Sequence, residues 1–442
     1  MRQVNKLRRG VCPGIAEPLP TGDGLLARLT PDAPISIGDF VTLCDAARDH
    51  GNGIVEITQR GSLQIRGLTA ASAPCFARAV VSLDVSAGSV PQLITAPLLG
   101  LQTSAARHAQ SLVTAVRSAI ADSRTFPAVG PKVSVLIDEG GPLHLDRVPA
   151  DIRLRATDGT AFFLSFGGTA ATATALGCVD IQHVIEVLGL LLDQIATRHP
   201  GARARDFAAD GTTAALSAAI AAHLVEGPLP PQRPPAEIVA THLLNDGSVA
   251  RGFALAFGHT TADSLSRLAG AAADQGARSV RPAPGRALLA IGLSHAAADR
   301  LAARAAAENF IVDAADPRRQ VVACAGAPAC DSALLATRQW APQVAEAAST
   351  LLDGSLTIHL SGCSKGCAHP GRAALTVVGP GHVVLGGSAG DAPQASVTLH
   401  SLMAGLGRLA RQRLHGERSA RMTARIGDSR VLEVLLGEPR ND

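Results

Sequence analysis

The amino-acid sequence predicts a mixed α/β (α+β) protein made of two related halves. Residues 36–68 and 261–293 align without a gap at a constant offset of 225, and in both copies a helical pattern ends at a glycine before two strand-like runs. Two weaker similarities are those of residues 131–138 with residues 355–362 and of residues 161–168 with residues 382–390. A shared Ala-rich composition is the alternative explanation. The gap-free repeat favours two halves related by a pseudo-twofold axis, with a shared site expected at their interface.

The expected boundaries follow from this repeat and from one proline-rich stretch. At 442 residues the chain exceeds what a single hydrophobic core usually serves. Residues 226–237, EGPLPPQRPPAE, disfavour both helix and central strand and are predicted to be a linker. The predicted units are a small unit at 1–72, a larger α/β unit at 73–225, a second small unit at 238–300 and a second larger α/β unit at 301–442.

Composition and charge argue against several classes of function. The chain is 47% hydrophobic, as in a globular protein, and its net charge of +3 provides no global attraction to nucleic acid or membranes. Aromatic residues make up only 2%, so few rings are present on which bases could stack. The N-terminus lacks the apolar core of a secretory signal, and no apolar run is long enough to span a bilayer. We expect a cytoplasmic monomer whose cysteines serve as thiols or metal ligands.

The strongest chemical signal is a set of four cysteines in the C-terminal region. Cys324 and Cys330 form a C-x5-C pair, and after 32 intervening residues Cys363 and Cys367 form a C-x3-C pair. Four thiolates in two close pairs match a [4Fe–4S] cluster, which needs one sulfur ligand at each iron. Both pairs follow strand-like runs, so we expect loops at strand ends to carry them. Buried structural thiols and a zinc site are the alternatives, although zinc pairs usually have two to four intervening residues.

The other cysteines show no such pattern. Cys44, Cys75 and Cys178 lie in or beside apolar patterns, and we expect them to pack in the core. Cys12, in RGVCPG, receives no assignment.

At these residues the chain resembles the sulfite and nitrite reductase superfamily. The resemblance covers nearly the whole chain and is carried by GDGLLARL (22–29), GNGIVEITQRGSLQIRG (51–67), PKVSV (131–135), ADIRL (150–154), the repeat and all four cysteines. It implies a duplicated architecture in which each half has a ferredoxin-like unit and a larger α/β unit. It also implies a [4Fe–4S] cluster on the four cysteines, which Cys367 would bridge to sirohaem iron in a reductase.

Two segments are more similar to an oxygen-dependent branch of this superfamily, which acts in aerobic cobalamin biosynthesis. They are RGVCPGIAEPLPTGDGLLARL (9–29) and SGCSKGCAHPG (361–371). This resemblance implies conversion of precorrin-3A to precorrin-3B, in which one atom of O2 enters the macrocycle at C-20 and the ring A acetate closes a γ-lactone. It further implies a mononuclear non-haem iron, a tetrapyrrole that is substrate rather than prosthetic group, and an external electron donor or NADH-dependent reductase.

Basic side chains distinguish the two branches. Sulfite-reducing relatives hold their small anion with four cations, and the resemblance matches Arg60 and Lys132 to two of them. Ser134 and the pair Pro91-Gln92 stand at the other two positions, so two of the four cations are replaced by neutral residues. Each lost charge-assisted contact costs about 1.5–3 kcal/mol, which argues against sulfite chemistry.

A tetrapyrrole with many carboxylates can instead use cations that lie further apart. The candidates are Arg28, Arg60, Arg66 and Lys132. Guanidinium groups bind carboxylates in a bidentate manner, and the alternative for each residue is a solvated surface charge. Position 60 maps onto the uncharged Gly285 at the offset of 225, so only one half is expected to carry a cation there. We expect Arg60 and Lys132 to face the cluster across the interface between the halves.

Weaker signals leave parts of the site unassigned. His359 and His369 flank the cluster cysteines and are candidate ligands of the non-haem iron, but spacing reveals no 2-His-1-carboxylate set. GLGRLA (405–410) has dinucleotide-like spacing but lies in a helical pattern without the preceding strand. The catalytic residues stay unassigned. Two other functions remain open, namely a sirohaem-dependent sulfite or nitrite reductase and a non-catalytic iron–sulfur electron-transfer protein.

Overall fold

The structure is a computed structural model, which describes residues 13–31, 33–83, 89–102, 106–122, 124–157, 159–209 and 211–437. Within these ranges the chain forms four β-sheets with helices packed against them. Cys12 lies outside the described residues. Among the described helices, none has both the length and the apolar character needed to cross a membrane.

The strands of the described chain are β1 (Leu19–Thr21), β2 (Gly24–Leu29), β3 (Ile35–Ser36), β4 (Ile54–Ile57), β5 (Leu63–Leu68), β6 (Gln92–Thr95), β7 (Ser134–Asp138), β8 (Ile152–Ala156), β9 (Ala161–Phe166), β10 (Thr174–Asp180), β11 (Leu224–Val225), β12 (Thr241–Leu243), β13 (Val249–Ala254), β14 (His259–Thr261), β15 (Ser279–Ala283), β16 (Ala287–Leu293), β17 (Val321–Ala323), β18 (Ile358–Ser361), β19 (Ala373–Val378), β20 (His382–Gly387) and β21 (Ala395–Ser396). The helices are α1 (Ile37–His50), α2 (Ala73–Val80), α3 (Ala106–Ala121), α4 (Val184–Arg198), α5 (Ala204–Ala209), α6 (Thr213–Ile220), α7 (Ala262–Asp274), α8 (His295–Ala307), α9 (Thr337–Ala347), α10 (Leu399–Ala410) and α11 (Ser419–Leu436).

The helices of the repeat begin and end where the sequence predicts. α1 begins where the Ser36 hydroxyl accepts a hydrogen bond from the backbone N–H of Asp39 at 3.1 Å. Its apolar face is buried against the first small sheet, of order β1-β2-β5-β4-β14, and the side chain of Phe40 is fully buried. The chain leaves α1 at Gly51 and leaves α7 just before Gly276, as the repeat predicted. Cys44, on α1, and Cys178, on β10, are buried as expected, whereas Cys75, on α2, is partly exposed, so the prediction that it packs in the core is wrong.

The two small units exchange an edge strand. β14 of the second half pairs with β4, where Thr260 lies opposite Val55. β3 of the first half pairs with β15, where Ile35 lies opposite Val280. At the offset of 225 the two exchanged strands coincide, and each leads directly into the helix that follows. A single hydrophobic core draws its residues from both small units, so the two ferredoxin-like units form one body.

The two larger units share one sheet topology. In the sheet of the first larger unit, of order β11-β10-β9-β8-β7-β6, the strands β6, β7 and β8 are parallel and β9 and β10 are antiparallel. In the second sheet, of order β17-β18-β19-β20-β21, the first three strands are parallel and the last two antiparallel. The similar segments noted in the sequence contain equivalent strands, β7 with β18 and β9 with β20. The predicted duplication is confirmed.

The predicted linker, residues 226–237, contains no helix or strand and lies on the first larger unit. Arg233 inserts between Asp138 and Asp146, with one guanidinium nitrogen 2.5 Å from a carboxylate oxygen of each. Both carboxylates are largely buried, so these ion pairs are shielded from solvent. The linker is therefore fixed to the unit that precedes it.

Candidate functional site

Two parallel strands bring the cysteine pairs to one edge of the second larger sheet. Cys324 follows β17 directly, and Cys363 comes two residues after β18 ends. Because β17 and β18 are parallel neighbours, their C-terminal ends lie side by side. The backbone N–H of Gly362 donates to the Cys324 sulfur at 3.1 Å, which joins the two cysteine loops.

The four thiols lie close enough to affect one another electrostatically. Burial raises the pKa of the Cys367 thiol, and the thiols of Cys363, Cys324 and Cys330 raise it further. None of the four is in a disulfide. A [4Fe–4S] cluster needs four sulfur ligands around one position, and this donor set fits that requirement.

The spacing of the sulfurs argues against the zinc alternative. Among the described residues, no three of these four sulfurs lie within 4.8 Å of one another. Sulfurs around a tetrahedral zinc, at a Zn–S distance of about 2.3 Å, would lie about 3.8 Å apart. A wider set is what a cubane needs, because each sulfur then binds a different iron.

One glycine lets the two cysteine loops approach. A Cβ at Gly362 would lie 2.6 Å from the Cβ of Ala333 and 3.4 Å from the Cys324 sulfur. Any larger residue would push the loops apart and break the Gly362–Cys324 hydrogen bond. This position therefore requires glycine.

The first small unit closes the site from the opposite half. Arg66 of β5 is 3% exposed, and its guanidinium donates to both carboxylate oxygens of Asp23 at 2.9 Å. It also donates to the carbonyl of Ala329, the residue before Cys330. The guanidinium of Arg66 is thus bonded inside the protein, and a role for it toward substrate carboxylates stays a prediction. Its position indicates that it holds the first cysteine loop.

A row of polar side chains lies on one face of the first small sheet, of order β1-β2-β5-β4-β14. This face contacts the second larger unit, which carries the four cysteines. Arg28, Gln64 and Glu56 lie opposite one another on β2, β5 and β4. With its amide oxygen toward Arg28, Gln64 accepts from that guanidinium at 2.6 Å and donates to Glu56 at 2.7 Å. Glu56 also pairs with Arg338 of α9. Arg28 thus lies near the interface of the halves, while its role toward a substrate stays a prediction.

The corresponding face of the second small sheet is mainly apolar. Leu289 and Arg281 stand at the positions of Gln64 and Glu56, at the offset of 225. Leu289 packs in a core that also contains Leu98 of the first larger unit. The two small sheets therefore share a strand arrangement but differ in the side chains on this face. The polar face, on the first small sheet, contacts the unit that carries the cysteines.

Arg60 lies in the turn between β4 and β5 and points toward the first larger unit. Its guanidinium donates to the carbonyl of Pro149 at 3.1 Å and lies 3.5 Å from the side-chain oxygen of Gln92. Gln92 is opposite Ser134 at the start of β6 and β7, and the exposed Lys132 immediately precedes that strand pair. Of the positions matched to the anion clamp, the neutral Gln92 contacts Arg60, and the neutral Ser134 lies opposite Gln92 in the sheet.

The second half carries no cation at the position equivalent to Arg60, but it carries one at the next residue. Gly285 is uncharged, but the next residue, Arg286, donates to the carbonyl of Ala368 at 2.9 Å, directly after Cys367. Burial lowers the pKa of Arg286 to about 10, so the side chain stays charged at neutral pH. Arg60 points toward the first larger unit, whereas Arg286 borders the second cysteine loop, which itself contains Lys365.

His359 lies beneath this loop with no bonding partner. Its side chain is fully buried, and neither ring nitrogen has a hydrogen-bond partner within the protein. Burial lowers the pKa of His359 to about 4, and nearby His369 adds to the effect, so the imidazole is neutral. The two rings meet edge to face with centroids 5.5 Å apart. Buried polar groups are nearly always bonded, so His359 offers a nitrogen donor to a group bound here.

Three residues that shape the site could not be predicted from the sequence. Asp23 and Glu56 lie inside the motifs GDGLLARL and GNGIVEITQRG, but nothing local shows that they pair with arginines. Arg286 has no sequence signal, because its partner carbonyl lies 82 residues further along the chain.

Comparisons with known proteins agree with this architecture. Residues 20–82 match the family model of the nitrite/sulfite reductase ferredoxin-like half domain. The fold is similar to that of NirA from Mycobacterium tuberculosis, with a TM-score of 0.72 and 20% identity over 92% of this chain and 84% of that one. A protein of Sinorhizobium sp. named precorrin-3B synthase is 37% identical over 440 residues, which cover 97% of this chain and 95% of that protein. The chain therefore belongs to the precorrin-3B synthase family, whose members are enzymes of cobalamin biosynthesis.

Proposed function

We propose that the chain converts precorrin-3A to precorrin-3B by hydroxylating C-20 and closing a γ-lactone from the ring A acetate. One atom of O2 enters the macrocycle, and the other leaves as water with two electrons and two protons from an external donor or reductase. The observation that carries this proposal is the 37% identity, over nearly the full length, to a precorrin-3B synthase. The free thiols of the site also suit a cytoplasmic enzyme.

The cofactors are assigned to residues that fit them. Cys324, Cys330, Cys363 and Cys367 would hold a [4Fe–4S] cluster, which supplies single electrons when bound. His359 and His369 are the candidates for holding a mononuclear iron. His359 has a buried nitrogen without a protein partner, and the Nε2 of His369 donates to the Arg372 carbonyl at 3.1 Å. That bond leaves the Nδ1 of His369 as an electron-pair donor.

The substrate carboxylates are assigned to Arg60, Lys132 and Arg28. Around Arg60 the neutral Gln92 and Ser134 occupy two positions of the sulfite clamp, and the Ser134 hydroxyl is bonded to buried Asp151 at 3.0 Å. A small dianion would find only two of the four clamp cations, Arg60 and Lys132, whereas a macrocycle needs only separated cations at its rim. This arrangement supports a tetrapyrrole as substrate.

A sirohaem-dependent reductase is the second candidate. One observation favours it: the Cys367 side chain keeps surface open to solvent, although the protein around its sulfur is close enough to raise the thiol pKa, and a sulfur shared between a cluster and a macrocycle iron needs such an open side. The absorption spectrum of anaerobically purified protein separates the two candidates. A broad shoulder near ~400 nm indicates a cluster alone, whereas intense macrocycle bands indicate bound sirohaem.

Cysteine replacement tests the cluster assignment. We expect a Ser substitution at any one of the four cysteines to remove most of the cluster iron and sulfide. Cys75→Ser is the control, since Cys75 is a partly exposed thiol on α2 outside the set. A member of the set whose replacement leaves iron and sulfide at the control level would not be a ligand.

A further inference from the structure

Three side chains of the first larger unit converge on one point at its surface. His183 ends a 3₁₀ turn (Ile181–His183), and Glu186 lies in the first turn of α4. His223 ends a second 3₁₀ turn (Ala221–His223), directly before the edge strand β11. The donor atoms of the three residues all lie within 4.8 Å of one another.

The distances show groups that converge without bonding to each other. The Nδ1 atoms of His183 and His223 lie 3.9 Å and 3.7 Å from the same carboxylate oxygen of Glu186. Hydrogen bonds between these atoms would be about 2.7–3.2 Å long. Two ligands bound at about 2.1 Å to one metal lie roughly 3.0–3.6 Å apart, so a closure of a few tenths of an ångström completes a site.

The side chains are able to make that movement. His183 and Glu186 are 51% and 61% exposed, so neither is locked by packing, while His223 is only 19% exposed and forms the fixed side. His183 and Glu186 are three residues apart at the start of a helix, which keeps both on one face. The two imidazole rings lie 5.6 Å apart and are tilted by 43°, so both can approach a common centre.

The other convergent group in the described chain is already satisfied. Asp138, His144 and Asp146 also lie within 4.8 Å of one another, but Arg233 bonds to both carboxylates at 2.5 Å. A guanidinium neutralises that group, whereas the ion pairs of Glu186 within the described ranges are those with His183 and His223.

We propose that His183, Glu186 and His223 bind one divalent transition-metal ion, separately from the cysteine site. Two imidazoles and a carboxylate suit ions such as Zn²⁺ or Fe²⁺ and leave positions for water. The ion ties the start of α4 to the edge strand β11, the last strand before the linker. This inference does not depend on the proposed reaction.

Zinc binding to the full-length, cluster-loaded and tag-free protein tests the inference. We expect one saturable Zn²⁺ site by calorimetry, and a Zn²⁺-dependent rise in unfolding temperature. His223→Ala and Glu186→Gln should each weaken Zn²⁺ binding by at least about tenfold and abolish that rise. His199→Ala is the matched control, because this exposed histidine of the same unit lies 3.7 Å from the carboxylate of Asp206 and belongs to no convergent group of donor atoms among the described residues.

The outcomes are distinguishable. Loss of binding in His223→Ala and Glu186→Gln but not in His199→Ala, with an unchanged cluster spectrum in all three, supports the site. Absence of saturable Zn²⁺ binding overturns it. Equal affinity in the wild type and the two ligand variants also overturns it, as does equal loss in the control.

Discussion

Two largely buried arginines, one from each small unit, bond to backbone carbonyls directly beside the cysteines. Arg66 contacts the carbonyl of Ala329, and Arg286 donates to the carbonyl of Ala368. Each bond restrains a cysteine loop from the opposite side of an interface. Each also brings a positive charge next to the thiolates, and such a charge favours the more negative, reduced state of a bound cluster.

Arg66→Met should weaken the hold on the cluster. Losing a charge-assisted hydrogen bond worth about 1.5–3 kcal/mol should make loss of iron and sulfide at least about tenfold faster. Removal of the charge should also shift the cluster midpoint potential to a more negative value in a redox titration. Arg267→Met is the control, because Arg267 forms an exposed ion pair with Glu308. A variant with the wild-type potential and cluster lifetime would contradict the role given to Arg66.

Arg60→Ala should weaken substrate binding without disturbing the cluster. We expect the dissociation constant for precorrin-3A to rise by roughly ten- to a hundred-fold, the scale of one or two charge-assisted hydrogen bonds. The cluster spectrum should not change, because Arg60 bonds to the first larger unit. Arg124→Ala, at a side chain that is 92% exposed, is the matched control. Unaltered binding in Arg60→Ala would remove this residue from the substrate site.

Glu139 predicts a pH dependence of stability. Burial raises the pKa of Glu139 to about 7, against an ordinary value near 4.5. The folded protein thus holds a proton that the unfolded chain releases between about pH 4.5 and 7, so stability falls as pH rises through this range. Glu139→Gln removes the effect and should be more stable than the wild type by about 2–3 kcal/mol at pH 8, with little gain at pH 4. Denaturant unfolding at both pH values measures this difference, and a gain that does not grow with pH would contradict it.

At the scale of residues, the sequence predicts features that depend on neighbouring positions and does not predict contacts between distant segments. The four cysteines can be identified as a set from their spacing, because two short loops carry all four thiols. Arg66 was assigned to the substrate from its charge alone, but its partners Asp23 and Ala329 lie on other segments. Whether a cation faces solvent or a buried carboxylate depends on tertiary contacts that no spacing encodes.

At the scale of elements, the exchange of edge strands joins the halves. β3 and β14 each complete the sheet of the other half, and residues of both small units share one core. The helices α1 and α7 were predictable from their 3.6-residue pattern and terminal glycines. Strands of two or three residues have no readable pattern of their own, since their pairing is decided by distant partners.

Thr260→Pro should show how much the exchanged strand contributes. The N–H of Ala262 bonds to the Gly53 carbonyl at 2.8 Å, so by alternation the N–H of Thr260 also faces β4. Proline removes that donor, and we expect a loss of about 1–3 kcal/mol in the free energy of unfolding. Thr260→Ala keeps the donor and serves as the control. Equal stability of the two variants would show that β14 contributes little to the first sheet.

At the scale of the whole molecule, two halves of the same architecture carry one set of four clustered cysteines. Strand register places Thr95 and Glu139 of the first larger unit at the positions of Cys324 and Cys363. Oxygen-bearing side chains stand at these two positions of the first half, where the second half has thiols that suit an iron–sulfur cluster. The polar face of the first small sheet contacts the second larger unit. The apolar face of the second small sheet contacts the first larger unit. The repeat predicted the symmetry, but side-chain chemistry at equivalent positions produces the asymmetry.

Oxygen incorporation tests the central claim most directly. Anaerobically purified, reduced protein would be mixed with precorrin-3A under ¹⁸O₂, and the macrocycle analysed by mass spectrometry. We predict a product that carries one ¹⁸O atom at C-20 and a γ-lactone, together with negligible reduction of sulfite or nitrite by the same preparation. An unchanged macrocycle, in a preparation that reduces sulfite or nitrite with bound sirohaem, would contradict the account.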